Sequence, residues 1–281
     1  MIQRINKRFL VENMDEHSFD IGRYIVLPGR KVLGIILTAK PYPVVLESIS
    51  KIARDVNVVI LYVSFSTIKK GQETIKAIGF MDFTNATEEP LKVIKRLKDL
   101  EYVEDVKIIH PIFDGFIGDI YHHKLFSGNE RVFFLGASGF KKLVEELNKL
   151  GAGGKAILYN IGYDIGKGYA ESYRKSLQEI GIKDDVKEIV EKVTICFTRF
   201  SGLGKGEIVK ESHNPIRIIF RIYDNYECEV VGYTGDFNSH FVRGMIAGVV
   251  EEIYNKKVLV VETKCISRGD PYCEFLITER E

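Results

Sequence analysis

Hydrophobic and polar positions follow two regimes along the chain, and the first spans residues 31–112. KVLGIIL at 31–37 and NVVILYVSF at 57–65 predict buried strands, separated by a stretch with apolar residues at helical spacing. Two further strands, at 77–83 and 103–109, flank a second amphipathic helix at 88–100. The order strand, helix, strand, strand, helix, strand predicts a ferredoxin-like βαββαβ fold.

This first unit resembles an ACT domain, a regulatory module that binds amino acids or similar small effectors, usually across a dimer. The resemblance covers residues 31–112 and places the effector at the first loop, TAKPYP, where we expect Lys40 and Tyr42 to contact it. The loop has neither the Asp nor the Gly that the family carries there. A purely structural or dimerising role for this unit is the alternative.

The second regime, residues 131–281, predicts an α+β domain with an antiparallel sheet packed on helices. Residues 1–30 are expected to form an N-terminal extension, and residues 113–130 a connector. Apolar residues recur every four positions between 157 and 177, a stripe that we expect to be buried along its whole length. Helices are expected at 139–150, 155–180, 184–193 and 239–254, and strands at 132–135, 194–200, 206–211, 216–223, 227–232, 257–265 and 272–278.

Two glycines of the long predicted helix, Gly162 and Gly166, lie on a face next to that stripe. A helix without side chains at two such positions allows another backbone to approach closely. We therefore expect a second helix to pack directly against this face.

Composition excludes several classes of protein. Forty Lys and Arg residues against 39 Asp and Glu residues leave a net charge of +1, with the two signs interleaved, which argues against direct nucleic-acid binding. No apolar run approaches the length of a membrane span. Four cysteines in 281 residues are too few for a disulfide scaffold, so we expect a cytoplasmic protein whose cysteines are reduced.

Two cysteines near the C-terminus carry the strongest chemical signal. Cys265 and Cys273 flank ISRGDPY, whose Gly-Asp-Pro core predicts a turn that brings the thiols together. Glu262 can join them if its strand is bulged. Thiolates and a carboxylate suit Zn²⁺, and His240 is the best available imidazole for a fourth ligand. The alternative is that the cysteines are inert core residues, as we expect for Cys196 and Cys228.

Three segments together resemble the 4-vinyl-reductase domain family, which includes the effector-binding domains of bacterial phenol and xylene sensors. The same fold occurs in subunits of the TRAPP vesicle-tethering complex. The resemblance extends over about residues 125–281, and the final E-x2-C-x7-C pattern is its most specific part. The segments are GAGGKAILYNIGYDIGKG (151–168), SHFVRGMIAGVV (239–250) and VVETKCISRGDPYCEF (260–275).

The resemblance implies a structural zinc ion held by Glu262, Cys265 and Cys273, with the fourth position at Ser239 or His240 in place of the family's Cys. It also implies an effector pocket between the helices and the sheet, enclosed by apolar and aromatic side chains. Candidates to line that pocket are Tyr159, Tyr163, Phe197, Phe220 and Tyr223, although for each of them a place in the ordinary core is the favoured alternative.

These features predict a non-enzymatic regulatory protein in which a small apolar or aromatic effector shifts the arrangement of a homodimer. No residue spacing marks a catalytic set. The alternatives are a vinyl-group reductase, for which the sequence has no flavin or nicotinamide motif, and a tethering or assembly subunit with a filled pocket.

Overall fold

A computed structural model describes residues 16–40, 43–66, 73–128, 130–179, 192 and 195–280. The chain divides into two compact units, and the boundary along the chain falls between Val132 and Phe133. Two sequence expectations lie outside the described residues: Tyr42, and almost all of the helix expected at 184–193.

The first unit is built on a four-stranded antiparallel sheet with the order β3-β4-β2-β5. This order, together with the two helices between the strands, confirms the predicted ferredoxin-like arrangement. The elements are β1 (Tyr24–Val26), β2 (Val32–Ala39), α1 (Val44–Asp55), β3 (Val59–Phe65), β4 (Ile75–Asp82), α2 (Pro90–Lys98), β5 (Val103–Ile109) and β6 (Phe116–Gly118).

The two faces of this sheet are covered differently. Helices α1 and α2 pack on one face, where Val45, Ile49 and Leu97 are buried against the strands. A two-stranded antiparallel ribbon of β1 and β6 belongs to the cluster on the other face, which includes Phe80 and Ile117. The predicted extension and connector therefore each contribute one strand to this ribbon.

A buried carboxylate fixes the chain after β6. The Asp119 side chain is fully buried and lies 2.8 Å from an Arg23 guanidinium nitrogen. It also accepts hydrogen bonds from the backbone N–H groups of Tyr121 and His122. Burial by itself would raise the pKa of Asp119, but the hydrogen bonds from His122 and the charge of Arg23 outweigh it and hold that pKa below its usual 3.8.

The second unit has a four-stranded antiparallel sheet with the order β11-β12-β10-β9, which confirms the predicted α+β class. A short hairpin of β7 and β8 precedes it in the chain. The two hairpin strands, β7 (Leu125–Ser127) and β8 (Glu130–Val132), end the first unit. The elements of the second unit are α3 (Ala137–Asn148), α4 (Ala152–Glu179), α5 (helical at 195–200), β9 (Lys205–His213), β10 (Ile216–Tyr223), α6 (Tyr226–Val231), α7 (His240–Tyr254), β11 (Val258–Lys264) and β12 (Cys273–Glu279).

Two expected strands are helices. The prediction of a strand at 194–200 was wrong, because 195–200 is helical. This helix packs Phe197 against Tyr169 of α4, with ring centroids 4.5 Å apart. Its β-branched and aromatic residues favour a strand, but tertiary packing overrides that preference. The strand expected at 227–232 was also wrong: Asn225 caps the start of helix α6 by accepting a hydrogen bond from the Glu227 N–H, and Gly232 ends it at φ +82°.

Helices α4 and α7 pack with their backbones in direct contact. A Cβ atom added at Gly162 would lie 2.0 Å from the Phe241 carbonyl oxygen, and one at Gly244 would lie 2.0 Å from that of Tyr159. Gly166 and Gly248 make equally close approaches one turn further on, so the two helices run in the same direction. The expected approach of a second helix at Gly162 and Gly166 is confirmed.

The apolar stripe on α4 is buried over only part of its length. Ile157, Ile161 and Ile165 are 43%, 41% and 39% exposed, whereas Tyr173 and Leu177 are partly buried against the rest of the unit. The expectation of burial along the whole stripe was therefore wrong. Helix α7 contacts the adjoining glycine face of α4.

Candidate metal centre and apolar cavity

Four buried side chains of the second unit bring metal-ligating atoms together. The thiols of Cys228, Cys265 and Cys273 and a carboxylate oxygen of Glu262 all lie within 4.8 Å of one another. The sulfur of Cys228 is 3.5 Å from that of Cys265 and 3.5 Å from that of Cys273. These separations exclude disulfide bonds, and all three cysteines are free thiols.

Three elements supply these residues. Cys228 lies on α6, Glu262 on β11, and Cys273 begins β12. Between β11 and β12 the chain makes a single 3-10 turn at Ile266–Arg268, which returns Cys273 toward Cys265 as the Gly-Asp-Pro signal predicted. The ladder between β11 and β12 shifts register between Glu262 and Lys264, so the bulge on which Glu262's participation depended is present.

Ser239 and Glu227 tie this cluster to the start of α7. The Ser239 hydroxyl donates a 2.6 Å hydrogen bond to Glu262, and it accepts one of 3.0 Å from the Asn225 side-chain amide. Glu227 is fully buried and accepts hydrogen bonds of 2.9 Å from the backbone N–H groups of Phe241 and Val242. Glu227 therefore satisfies two of the free N–H groups at the N-terminus of α7.

The donor set fits a zinc ion held by the protein alone. Four ligands at zinc–sulfur distances of about 2.3 Å would lie about 3.8 Å apart in a tetrahedron, close to the sulfur separations observed here. Backbone and amide donors offset part of the negative charge: the Ile266 N–H points to the Cys273 sulfur at 3.4 Å, and the Asn225 amide points to the Cys228 sulfur at 3.7 Å. Cys228, Cys265 and Cys273 are 0% exposed, which leaves no open position for substrate.

Without a metal ion, protons remain on several of these groups. Burial raises the pKa of Glu262 to about 8, and the nearby Cys265 adds to the effect. Hydrogen bonds from Cys228 and Cys265 lower the pKa of Cys273, while contacts with Cys265 and Cys273 raise the pKa of Cys228. Metal binding at this cluster would therefore release protons.

The structure brings Glu262, Cys265 and Cys273 together as the sequence suggested, but places Cys228 beside them where His240 was expected. His240 is 7% exposed, and its two ring nitrogens have no hydrogen-bond partner among the described residues. Burial lowers its pKa to about 4, as do nearby Arg243 and Lys155. Sequence reasoning missed Cys228 because it was placed on a strand; the Asn225 cap was the available sign of a helix.

A small apolar cavity lies between α4, α5, β10 and α7. Its volume is about 30 Å³. Among the described residues that line it, none turns a polar atom toward the cavity. The lining comprises Tyr169, Ala170, Tyr173, Phe197, Thr198, Leu203, Ile222, Val242, Met245, Ile246 and Val249.

Of the five aromatic residues predicted to line an effector pocket, Phe197 lies at this cavity and the other four lie elsewhere. Phe220 is buried in the core of the unit. Tyr159 packs under the Arg243 guanidinium, 5.2 Å from its ring centroid. Tyr163 donates a 2.7 Å hydrogen bond to Glu251, and Tyr223 donates one of 3.1 Å to Glu207.

In the first unit, the expected ligand contact Lys40 is exposed. Its backbone N–H donates a 2.9 Å hydrogen bond to the Tyr102 carbonyl oxygen. Across the described residues of both units, no helix combines the length and the apolar character that crossing a membrane requires.

Comparison with known proteins shows that part of the second unit is similar to V4R domains. Residues 218–279 match the family model of the V4R domain, the 4-vinyl-reductase domain that the C-terminal segments resemble. The Methanocaldococcus jannaschii protein MJ0150 is 36% identical over 127 residues, which are 45% of this chain and 66% of that protein. MJ1642 of the same organism is 41% identical over 73 residues, 26% of this chain and 43% of that protein. The chain thus spans less than two thirds of these curated relatives.

Among solved structures, the chain is similar to the phenol-responsive sensory domain of the transcription activator PoxR, which was determined with phenol. The TM-score is 0.50 at 18% sequence identity, and the match covers 57% of this chain and 82% of that one. At this level of identity the likeness shows a shared fold.

Proposed function

We propose that this protein is a non-enzymatic regulatory protein that binds a small apolar or aromatic molecule in its second unit. The observation that carries the proposal is the apolar cavity between α4, α5, β10 and α7. Concave apolar sites between packed elements are the usual places for small ligands. A fold shared with a phenol-responsive sensory domain supports the same role.

The metal centre has a structural role in this proposal. Three buried thiols and a buried carboxylate would give a zinc ion four protein ligands, as in structural rather than catalytic zinc sites. The ion would join α6 to the β11–β12 hairpin, while Ser239 and Glu227 link the cluster to α7. Free cysteines suit a reducing compartment, and we place the protein in the cytoplasm.

The size of the cavity makes binding inseparable from movement. About 30 Å³ is far smaller than the roughly 150 Å³ cavities that hold benzene in engineered proteins. A ligand can enter only if side chains move apart, with Phe197, Tyr173 and the flexible Met245 as the nearest candidates. A ligand that binds only the opened arrangement shifts the population toward it, and in a homodimer this shift would alter the contact between subunits.

Methyl NMR spectra recorded during a titration with benzene test the proposal. We expect saturable shifts at Ile246 and Val249, whose side chains line the cavity. Val249→Phe fills the cavity and should abolish these shifts, whereas Val209→Phe, at a position 42% exposed on β9, should leave them intact. Sedimentation measurements with and without benzene test whether the protein forms the expected homodimer and whether benzene alters it. Shifts that persist in Val249→Phe, or their absence in the unaltered protein, would defeat the proposal.

A further inference from the structure

The chemistry of the cavity walls also indicates which class of molecule the cavity binds. Resting on the proposed function, we infer that the cognate ligand is a hydrocarbon group, an alkyl or unsubstituted aromatic one, and not a phenol. This preference depends on the chemistry of the walls, whereas the proposed function requires only that the cavity binds a small molecule.

The side chains with polar groups at the cavity direct those groups elsewhere. Thr198 is the clearest case, because its hydroxyl donates a 3.0 Å hydrogen bond to the Ile195 carbonyl oxygen and accepts one of 3.1 Å from the Gly206 N–H. Tyr169 and Tyr173 contribute ring carbons to the wall, and Val242, Ile246 and Val249 contribute methyl groups.

The described backbone of α7 and β10 at the cavity is also paired. The wall from α7 runs from Val242 to Val249: the Val242 N–H donates to Glu227, and the later lining residues of α7 have N–H groups paired within the helix. The wall from β10 lies on a strand paired on both sides, with β9 and with β12. The Glu227 carboxylate on α6 accepts hydrogen bonds from the N–H groups of Phe241 and Val242.

A hydroxyl group placed in such a site loses its hydrogen bonds to water and gains none. Leaving one polar group unpaired costs about 1–3 kcal/mol, roughly 5- to 150-fold in affinity. A methyl group of similar size loses nothing and gains van der Waals contact with the surrounding carbons. The walls therefore favour toluene over phenol, two molecules that differ by one substituent of nearly equal size.

Dissociation constants for toluene and phenol, measured by the same methyl NMR titration on the full chain, test the inference. We expect toluene to bind at least about tenfold more tightly. Equal affinities, or tighter binding of phenol, would overturn the inference and leave the proposed function standing. Saturable binding of neither molecule would remove the proposed function and the inference together.

A matched pair of substitutions checks that the preference arises in this cavity. Val249→Thr keeps the side-chain shape and adds one hydroxyl to the wall, which can accept a hydrogen bond from phenol even while it bonds to the carbonyl of Met245. The ratio of the affinity for toluene to the affinity for phenol should fall at least about threefold. Val209→Thr, on the exposed side of β9, should leave the ratio unchanged. If Val249→Thr folds and the affinity ratio does not change, the preference does not arise in this cavity. If Val249→Thr does not fold, the affinities of the unsubstituted protein for toluene and phenol test the inference.

Discussion

The sulfur atoms of Cys228 and Cys265 lie 3.5 Å apart, although 37 residues separate the two cysteines along the chain. Cys228 belongs to a short helix, and Cys265 directly follows strand β11. Their proximity completes a buried set of three thiols and a carboxylate, and the first prediction depends on it.

Metal binding should depend on Cys228 and not on His240. The unaltered protein is expected to bind one zinc ion per chain and Cys228→Ser to bind none. Thermal unfolding of Cys228→Ser should then be insensitive to chelators, because bound metal stabilises only the folded state. His240→Ala should keep one zinc per chain in native mass spectrometry. Cys196→Ser removes an exposed cysteine outside the cluster and serves as the control. Zinc lost from His240→Ala but kept by Cys228→Ser would reverse the assignment.

The carboxylate of Glu227 should stabilise α7 independently of metal. Glu227→Ala leaves the N–H groups of Phe241 and Val242 unpaired in the interior, at a cost of about 1–3 kcal/mol for each group. Glu227→Gln keeps one acceptor oxygen and should lose less. Urea unfolding followed by circular dichroism, with EDTA present, measures the difference.

The matched control for that series is Glu171→Gln, at an exposed position on α4. Its free energy of unfolding should match that of the unaltered protein within about 0.5 kcal/mol. Equal stability of Glu227→Ala and the unaltered protein would show that the cap contributes nothing.

Contact between α4 and α7 should tolerate no side chain at Gly244. Gly244→Ala puts a methyl group 2.0 Å from the Tyr159 carbonyl oxygen, so the helices must separate, at a cost of about 1–3 kcal/mol or more. Gly168→Ala lies on α4 in open space and should instead stabilise the protein by about 0.5–1 kcal/mol, because it reduces the entropy of the unfolded chain. Thermal unfolding of the two variants should move in opposite directions; a destabilised Gly168→Ala and a neutral Gly244→Ala would refute the packing argument.

Acid should weaken the first unit partly through Asp119. Because the pKa of Asp119 is lower in the folded chain than its usual 3.8, its contribution to stability is complete above pH 3.8 and is lost as the pH falls through the folded value. Asp119→Asn should cost about 1–3 kcal/mol at pH 7 and make hydrogen exchange in the β1 and β6 peptides less dependent on pH in that acid range.

Asp105→Asn is the control for this prediction. The Asp105 side chain is 49% exposed and lies 3.8 Å from Lys107, an arrangement that contributes little to stability. Identical exchange profiles for the two variants would show that burial of Asp119 has no thermodynamic consequence.

The sequence anticipated the elements with long, regular patterns and missed the short ones. Val242, Met245, Ile246 and Val249 recur at helical spacing, and α7 presents all four to the cavity. By contrast, α6 is six residues long, too short for periodicity to separate a helix from a strand. That error removed Cys228 from consideration as a ligand, since the direction of its side chain depends on the element that carries it.

The cavity residues were also hard to identify, for a different reason. Tyr169 and Tyr173 belong to an apolar stripe. The sequence pattern of such a stripe is the same whether its side chains face a packed core or a cavity. Only the close approach of α7 at the glycine face and the packing of 195–200 as a helix decide which side chains border the cavity.

The glycine contacts between α4 and α7 have a mechanical consequence. Where two backbones touch without intervening side chains, there is no deformable layer, so the pair resists both sliding and spreading. An arriving ligand must then push on the opposite wall, where Phe197 rests on Tyr169. The helix pair α4 and α7 would stay rigid, and the side chains of Phe197 and Tyr169 would be displaced when a ligand binds.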